Sequence, residues 1–423
     1  MRIFKFGGAS VKDAAAVENV KDILSLYPQD NLVIVVSAMG KTTNAMEQIT
    51  DALYHKDFET FRNLVLERKA FHFSILEDLF KEKSHLIFNE VLTIFNDLGN
   101  RVNIPISENY DFEYDQIVSL GEVVSTKIIE AYLSLNSNET VWLDARKVIR
   151  TNNKYREGEV DWSKTQGLLQ ERIDAHADKR VFVTQGFLGH TSEGFTTTLG
   201  REGSDYTAGI FAHCLNATDV TIWKDVPGML NADPKWFDNT VKLDTISFKE
   251  AIELSYYGAS VIHPKTIKPL QNKSIPLYVK SFLNPTAEGT AIQSSTVNDN
   301  LVPSFIFKMD QILLSITPKD FSFIVEENMS DIFKTLAQAN AKINIMQNSA
   351  LSFSMCLDKS RVDLERLTAS LSTDFNVKYN DGLELVTIRH YDQATIDRVT
   401  VGKEVLMEQK TRQTARLVLK NIR

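Results

Sequence analysis

The stretch Asn31-Leu32-Val33-Ile34-Val35-Val36 is apolar at five successive positions, with no alternation. That pattern marks a strand buried on both faces of a parallel sheet. Parallel neighbours cannot be joined by a tight hairpin and need a crossover, usually a helix. The flanking sequence has that form. Residues 2–6 are a short apolar run ended by Gly7-Gly8, and helical spacing follows at Val17, Val20, Ile23 and Leu24 until Tyr27-Pro28. The central run opens into the polar turn Ser37-Ala38-Met39-Gly40-Lys41-Thr42-Thr43-Asn44, after which helical spacing resumes. Strand, glycine or polar turn, and helix, twice over, predict an α/β domain on a parallel sheet.

The same grammar continues. Residues 45–100 carry helical spacing almost throughout, with Phe58, Phe61, Val65, Phe71, Ile75, Leu79 and Phe80 on apolar faces, and predict a helical subdomain set on the sheet. His72 falls among them with no ligand or nucleophile spaced near it, and reads as a core histidine. A helix over 115–135 contains Ser119-Leu120-Gly121-Glu122. Strands follow at 140–143, 181–183, 219–223 and 276–281, helices near 247–257 and after His263-Pro264, and a basic polar loop at 146–156.

A chain of 423 residues predicts two or three domains at about 150 residues each. The rhythm changes over 284–303, where Asn284, Pro285, Gly289, Ser294, Ser295, Asn298 and Pro303 read as connecting chain. The expected boundaries are 1–292 for the α/β domain, 293–304 for a linker and 305–423 for a second domain. There, strands at 311–317, 343–347, 350–357 and 383–389 and helices at 328–340 and 361–372 give the ferredoxin-like order β-α-β-β-α-β. The rest, with a strand at 414–420, reads as a short strand-rich remainder. Such modules pair with a second copy, so a homodimer or higher homo-oligomer through this domain is expected.

The net charge of −8 argues against a nucleic-acid partner, which needs a basic face. The absence of an apolar run of 18 residues or more argues against a membrane span. The N-terminus reads as a strand rather than a signal peptide. Two cysteines, Cys214 and Cys356, make no disulfide framework and read as buried thiols in a cytoplasmic protein.

Four loops after strands hold the polar chemistry, and ligands in open α/β sheets bind beyond the carboxyl ends of the strands. The richest is Thr198-Leu199-Gly200-Arg201-Glu202-Gly203-Ser204-Asp205-Tyr206, followed at once by helical spacing. A turn that opens a helix presents free N–H groups and the positive dipole end to an anion. Ser204 and Asp205 are N-cap types, and Arg201 offers a planar fork of donors. Lys5 lies within an apolar strand, where an ammonium needs an anionic partner. Beside the Gly7-Gly8 turn it reads as either a phosphate contact or a structural ion pair. GxxxxGK[ST] and GxGxxG are both absent. Ser37 to Asn44 offers hydroxyls for a substrate or for helix capping. Lys224 to Lys235, with Pro227-Gly228 and Asp233-Pro234, shapes a loop that could hold a nucleotide base and ribose.

The motifs KFGGAS (5–10), SAMGKTTN (37–44), SLGE (119–122), RKVIRTN (146–152), TTTLGREGSDYTA (196–208), WKDVPGMLNADPK (223–235) and GASVIHPKT (258–266) resemble aspartate kinase, in order and spacing, over residues 1–292. The tail resembles the ACT-type regulatory region of that family, and no room is left for a fused homoserine dehydrogenase, so the chain reads as monofunctional. The resemblance implies an αβα three-layer sandwich of amino-acid-kinase type with a C-terminal ferredoxin-like ACT domain. It implies transfer of the ATP γ-phosphate, with Mg²⁺ carried on ATP, to the side-chain carboxylate of L-aspartate. That is the first step toward lysine, threonine and methionine. The implied roles are Lys5 and Asp205 as catalytic residues, and Gly7, Gly8, Ser10, Gly203 and Ser204 around the phosphates. Ser37, Thr43, Glu122 and Arg201 would hold aspartate, and Lys224, Asp225, Leu230, Lys235 and Ser260 the nucleotide. No protein side chain is expected to bind metal. Rival readings are another phosphotransferase of this fold and a non-catalytic amino-acid sensor.

The chain departs from the family at Ser260, where lysine is common, and at Lys224, Leu230 and Lys235, where threonine, tyrosine and arginine are common. Lys224 could restore the charge lost at Ser260. Asn344, Gln347, Asn348 and Ser349 occupy positions that in relatives can touch an effector amino acid, or else satisfy strand ends.

Overall fold

The computed structural model describes every residue except 136, 138, 260, 261, 301, 321 and 423. The chain divides into two compact units: Met1–Met229, Lys242–Ile252 and Ser260–Asp299 in the first, and Leu230–Val241, Glu253–Ala259 and Asn300–Arg423 in the second.

The elements up to residue 293 run β1 (Arg2–Phe6), α1 (Ala14–Ser25), β2 (Leu32–Val36), α2 (Thr42–Tyr54), α3 (Phe58–Leu79), α4 (Leu86–Gly99), α5 (Tyr110–Ser134), β3 (Thr140–Leu143), α6 (Ala145–Val148), α7 (Trp162–Asp174), β4 (Val181–Gln185), β5 (Leu188–His190), β6 (Thr196–Thr198), α8 (Gly203–Leu215), β7 (Val220–Lys224), β8 (Thr245–Ser247), α9 (Phe248–Tyr257), α10 (Pro264–Gln271), β9 (Leu277–Ser281) and β10 (Thr290–Gln293). Eight strands form one sheet in the order β3-β4-β2-β1-β7-β9-β10-β8. Only the β9–β10 pair is antiparallel. The run read as a two-faced strand is β2, buried at every position between β1 and β4.

Side-chain alternation sorts the layers. Phe4, Phe6, Ile34, Val36, Val183 and Trp223 share one apolar core with α1 to α5. The opposite face of β1, β2 and β7 carries α8, flanked by α7 and α10. Lys5, between Phe4 and Phe6, points to that second layer, where it meets Asp205 on α8. The result is the αβα sandwich. His72 is fully buried among Phe71 and Phe95, and burial pushes it down to about 4.

Four local expectations change. Ser204 and Asp205 do not cap α8: Glu202, in the left-handed region at φ 53°, takes the cap position without a side-chain bond. The other two therefore fall in the first turn. Residues 146–156 are not all loop, because Asp144 accepts the Arg146 N–H and starts α6. Residues 186–198, expected as loop after the 181–183 strand, contain the hairpin β5–β6, closed by Leu188↔Thr198. Within 284–303, Thr290 to Gln293 forms β10 in the main sheet, and Asp299 accepts a hydrogen bond from the Ser247 N–H.

The second unit contains β11 (Ser304–Pro318), α11 (Glu326–Gln338), β12 (Ile343–Asn348), β13 (Phe353–Asp358), α12 (Leu364–Leu371), β14 (Phe375–Arg389), α13 (Gln393–Thr400), β15 (Lys403–Lys410) and β16 (Thr414–Asn421). The strands make an antiparallel sheet ordered β12-β13-β11-β14-β16-β15. β11 and β14 pair along their whole lengths, with register shifts between Lys308 and Leu313. One half of this ribbon packs Leu314 and Ile316 against Ile332 and Leu336 of α11 and Leu367 of α12. The other half packs Phe305, Val386 and Ile388 against Ile396 and Val399 of α13. The stretch read as a remainder is thus a second helix-on-sheet half. A bulge lets two strands serve both halves, and a reading that ends each strand at its module misses this.

Candidate active site

The carboxyl ends of β1, β2, β4 and β7 lie on one edge of the first unit's sheet, as their parallel register requires. A cavity of 850 Å³ opens there, lined by Lys5, Ser37, Thr43, Glu122, Arg201, Gly203, Ser204, Asp205 and Lys224 among others. Nine residues singled out from the sequence thus converge on one space.

Asp205 is 3% exposed. Its carboxylate meets Lys5 Nζ at 2.7 Å and Lys224 Nζ at 3.7 Å. Burial alone would raise its pKa, but the two ammonium groups outweigh burial and lower it. The buried ammonium of Lys5 thus has its anion, and the triad keeps a net positive charge facing the cavity. Ser204 and Asp205 N–H groups have no partner among the described residues, while the Gly203 N–H is used by Gly200 O. The donors available at this helix start are therefore those of residues 204 and 205. Gly186 fixes where α8 begins: a Cβ there would stand 2.4 Å from Ser204 Cβ and 2.7 Å from its Cα.

Glu122 comes from α5. Gly121 lets this helix approach α2 closely, since a Cβ would lie 3.1 Å from Thr42 Cγ2 and 3.3 Å from Ala38 Cβ. Ser125 donates to Ser37 O at 2.7 Å and locks the same contact. Glu122 is 2% exposed and accepts a bond from Thr43 Oγ1 at 3.2 Å. Its Oε2 has no hydrogen-bond partner, and no cation pairs with it among the described residues. Burial pushes its pKa up to about 8, against a smaller pull from nearby backbone and Thr43. A buried carboxyl with one oxygen unused, lining a cavity, is a site for a cationic ligand group.

Other predicted residues sit elsewhere. Ser10 is buried and its N–H closes the Gly7 turn at 2.9 Å. Gly8 faces Ala38 O and Gly40 O, with a Cβ reaching 2.7 Å from each. Neither residue lines the cavity, and nor do Gly7 and Asp225. Leu230 and Lys235 fall within Leu230–Val241, counted with the second unit. Ser260 lies outside the described residues. In the second unit, Asn344 is engaged by Gln311, Asp358 and Lys308. Ser349 bonds across its turn to Ser352, while Gln347 and Asn348 are exposed at the end of β12.

Sequence reasoning missed a second wall formed by Asp111 and Tyr114 of α5 and by Asn153, Lys154, Tyr155, Arg156 and Glu157. Asp115 holds it in place. This buried carboxylate accepts from Arg156 N (2.9 Å), Thr198 N (3.0 Å) and Thr198 Oγ1 (2.7 Å), and burial pushes it up to about 6. Gln116 adds bonds to both the N–H and the C=O of Thr196. The spacing of Asp115, Ser119 and Glu122 on one helix face was a usable signal.

A diglycine turn, a lysine–aspartate–lysine triad and an unpaired buried carboxyl around one sheet edge accompany a sequence match to the amino acid kinase family over residues 1–281. The chain belongs to the amino acid kinase family. Within it, the chain is 31% identical over 411 residues to lysine-sensitive aspartokinase 3 of Escherichia coli, covering 95% of this chain and 89% of the relative. The solved structure of Escherichia coli aspartokinase III with lysine and aspartate (T-state) matches with a TM-score of 0.80 at 27% identity, over 99% of this chain and 95% of that one. The same enzyme with aspartate and ADP (R-state) matches at 0.78 and 28%, over 99% and 96%. These amino acid kinase relatives span both units of the chain.

Proposed function

We propose that this amino acid kinase is an aspartate kinase, transferring the γ-phosphoryl group of Mg²⁺–ATP to the side-chain carboxylate of L-aspartate. The observation that carries the reading is Glu122: buried, without a cation among the described residues, and in the same cavity as the Lys5–Asp205–Lys224 triad. The unused carboxyl suits an α-ammonium group, and the triad suits a phosphate. Aspartate's carboxylate, with a reference pKa of about 3.9, is ionised at neutral pH, so no general base is required. The barrier is repulsion between carboxylate and polyphosphate. The protein lowers it by alignment and positive charge.

Lys5 holds the transferring phosphoryl oxygens and Lys224 the neighbouring phosphate, both oriented by Asp205. Ser204 and Asp205 N–H groups face the same charge. Glu122 holds the ammonium with Thr43 and Ser37 beside it, and Arg201 takes the α-carboxylate. Gly7, Gly8 and Ser10 shape the turn under the phosphates, while Asp225, Leu230, Lys235 and Ser260 are assigned to the nucleotide. Among the described residues no group of three or more His, Cys, Asp or Glu could hold a metal, and Mg²⁺ is assigned to the ATP phosphates. Association with a second copy is assigned to the second unit's sheet, whose strand β12 is exposed along Met346 to Asn348. An amino-acid effector is assigned to the same region, around Asn344, Gln347, Asn348 and Ser349. No helix among the described residues is long and apolar enough to cross a membrane, and cytoplasmic location fits this chemistry.

ADP release measured with aspartate, glutamate and a nucleoside monophosphate, together with hydroxamate trapping of the acyl phosphate, tests the reading. Aspartate alone is expected to support both signals. ADP release with glutamate or the nucleotide, but not with aspartate, refutes it.

A further inference from the structure

Arg156 lines the cavity in a left-handed backbone conformation, φ 64°, that a residue bearing a Cβ adopts only when its surroundings insist. What insists is Asp115, buried on α5, which accepts the Arg156 N–H at 2.9 Å. The same carboxylate holds the N–H and hydroxyl of Thr198, just before the loop that carries Arg201. The backbone of Arg156 is therefore fixed to the floor of the site.

Its side chain is held far more loosely. The guanidinium lies 4.3 Å from the centre of the Tyr114 ring. It pairs with Asp111 at 3.3 Å and Glu47 at 3.8 Å, all three groups being 41–53% exposed. Exposed pairs of this kind are weak and readily exchanged. Tyr114 is 8% exposed, stays neutral because burial and then Glu47 push it up to about 12, and stands about two turns before Glu122 on α5. Arg156, Tyr114 and Glu122 all line the one cavity.

We propose that Arg156 binds the α-carboxylate of the amino-acid substrate, exchanging Asp111 and Glu47 for it and sharing it with Arg201. The inference rests on the substrate reading given above, in which Glu122 receives the α-ammonium. An α-carboxylate is attached to the same carbon as that ammonium, so it is met by a cationic group of the cavity that Glu122 lines, and Arg156 lines the same cavity. The planar fork of an arginine suits a carboxylate bidentately. The reacting carboxylate is left free to face Lys5.

The test compares wild type, Arg156→Gly and Arg156→Lys by steady-state ADP release, varying aspartate and ATP separately, with thermal unfolding of each. Glycine adopts the left-handed backbone without strain and keeps the N–H that Asp115 holds. Arg156→Gly is expected to unfold at or above the wild-type temperature. Its KM for aspartate is expected to rise about tenfold or more, the loss of a hydrogen bond to a charged group, with the KM for ATP unchanged. Arg156→Lys should recover part of that loss. An unchanged aspartate KM in Arg156→Gly, or an equal rise in both KM values, overturns the assignment while leaving aspartate as substrate. A wild-type enzyme that releases no ADP with aspartate overturns the substrate reading and this inference together.

Discussion

Replacing Glu122 by glutamine keeps the shape of the side chain and removes its charge, and the structure sets the size of two opposite effects. The carboxyl is 2% exposed, accepts from Thr43 through Oε1, leaves Oε2 without a hydrogen bond, and is pushed by burial from an ordinary 4.5 to about 8. A carboxyl with a raised folded pKa binds its proton more tightly in the fold. Its stabilising contribution is full below the unfolded pKa and is lost as pH rises through the folded one. Within that window each pH unit costs about 1.4 kcal/mol. From about pH 5 to about pH 8 the wild type therefore loses roughly 4 kcal/mol that the glutamine variant keeps. Without ligand, the unfolding temperature of Glu122→Gln should climb relative to wild type across that range and level off above it. With aspartate the sign reverses, because the ammonium group loses its counter-charge. Removing one partner of a buried charge pair costs about 2–5 kcal/mol, or about thirtyfold or more in affinity. Scanning calorimetry across pH and isothermal titration of aspartate measure the two effects. Unfolding temperatures that run parallel across pH, or an aspartate affinity that does not fall, would refute the account of Glu122 as an unpaired buried acid awaiting a cation.

Lys5→Ala should reduce turnover by about a hundredfold or more, the scale of losing one preorganised charge at the transition state, with a much smaller change in stability; near-wild-type turnover in the purified variant sinks the assignment. Gly186→Ala places a Cβ 2.4 Å from that of Ser204, so the start of α8 must move; aspartate turnover should fall sharply while circular dichroism stays native, and unaltered kinetics would show that α8 tolerates the shift. Asp115→Ala removes three hydrogen bonds, costing roughly 3 kcal/mol at about 1 kcal/mol each; hydrogen exchange should quicken first at the Arg156 and Thr198 amides, and protection unchanged at both would mean Asp115 does not anchor that wall.

What could be read from the chain and what could not follows one physical distinction. Lys5 was legible because an ammonium inside an apolar strand demands a partner wherever the chain folds, and Asp205 supplies it at 2.7 Å. Strand β2 was legible because its burial on both faces is written in its own residues. Glu122, Arg201 and Lys224 were legible from motifs, and the sheet's parallel register then brought them to one edge. Features fixed by a distant partner were not. Ser204 and Asp205 have the composition of caps, but the left-handed Glu202 takes the cap position, and the backbone at Gly186 passes close to Ser204. That leaves the Asp205 carboxylate free for two lysines, a better use of a buried charge than closing its own helix. The wall bearing Arg156 became visible only once β5 and β6 folded back against α5, because Asp115 and Gln116 bond to residues more than 40 positions away. The second unit's pseudo-repeated halves were hidden for the same reason: each half borrows part of β11 and part of β14. Local pattern therefore located the groups that carry charge. The tertiary contacts decided which of them were aimed into the cavity, and which, like Asp115, were spent holding others in place.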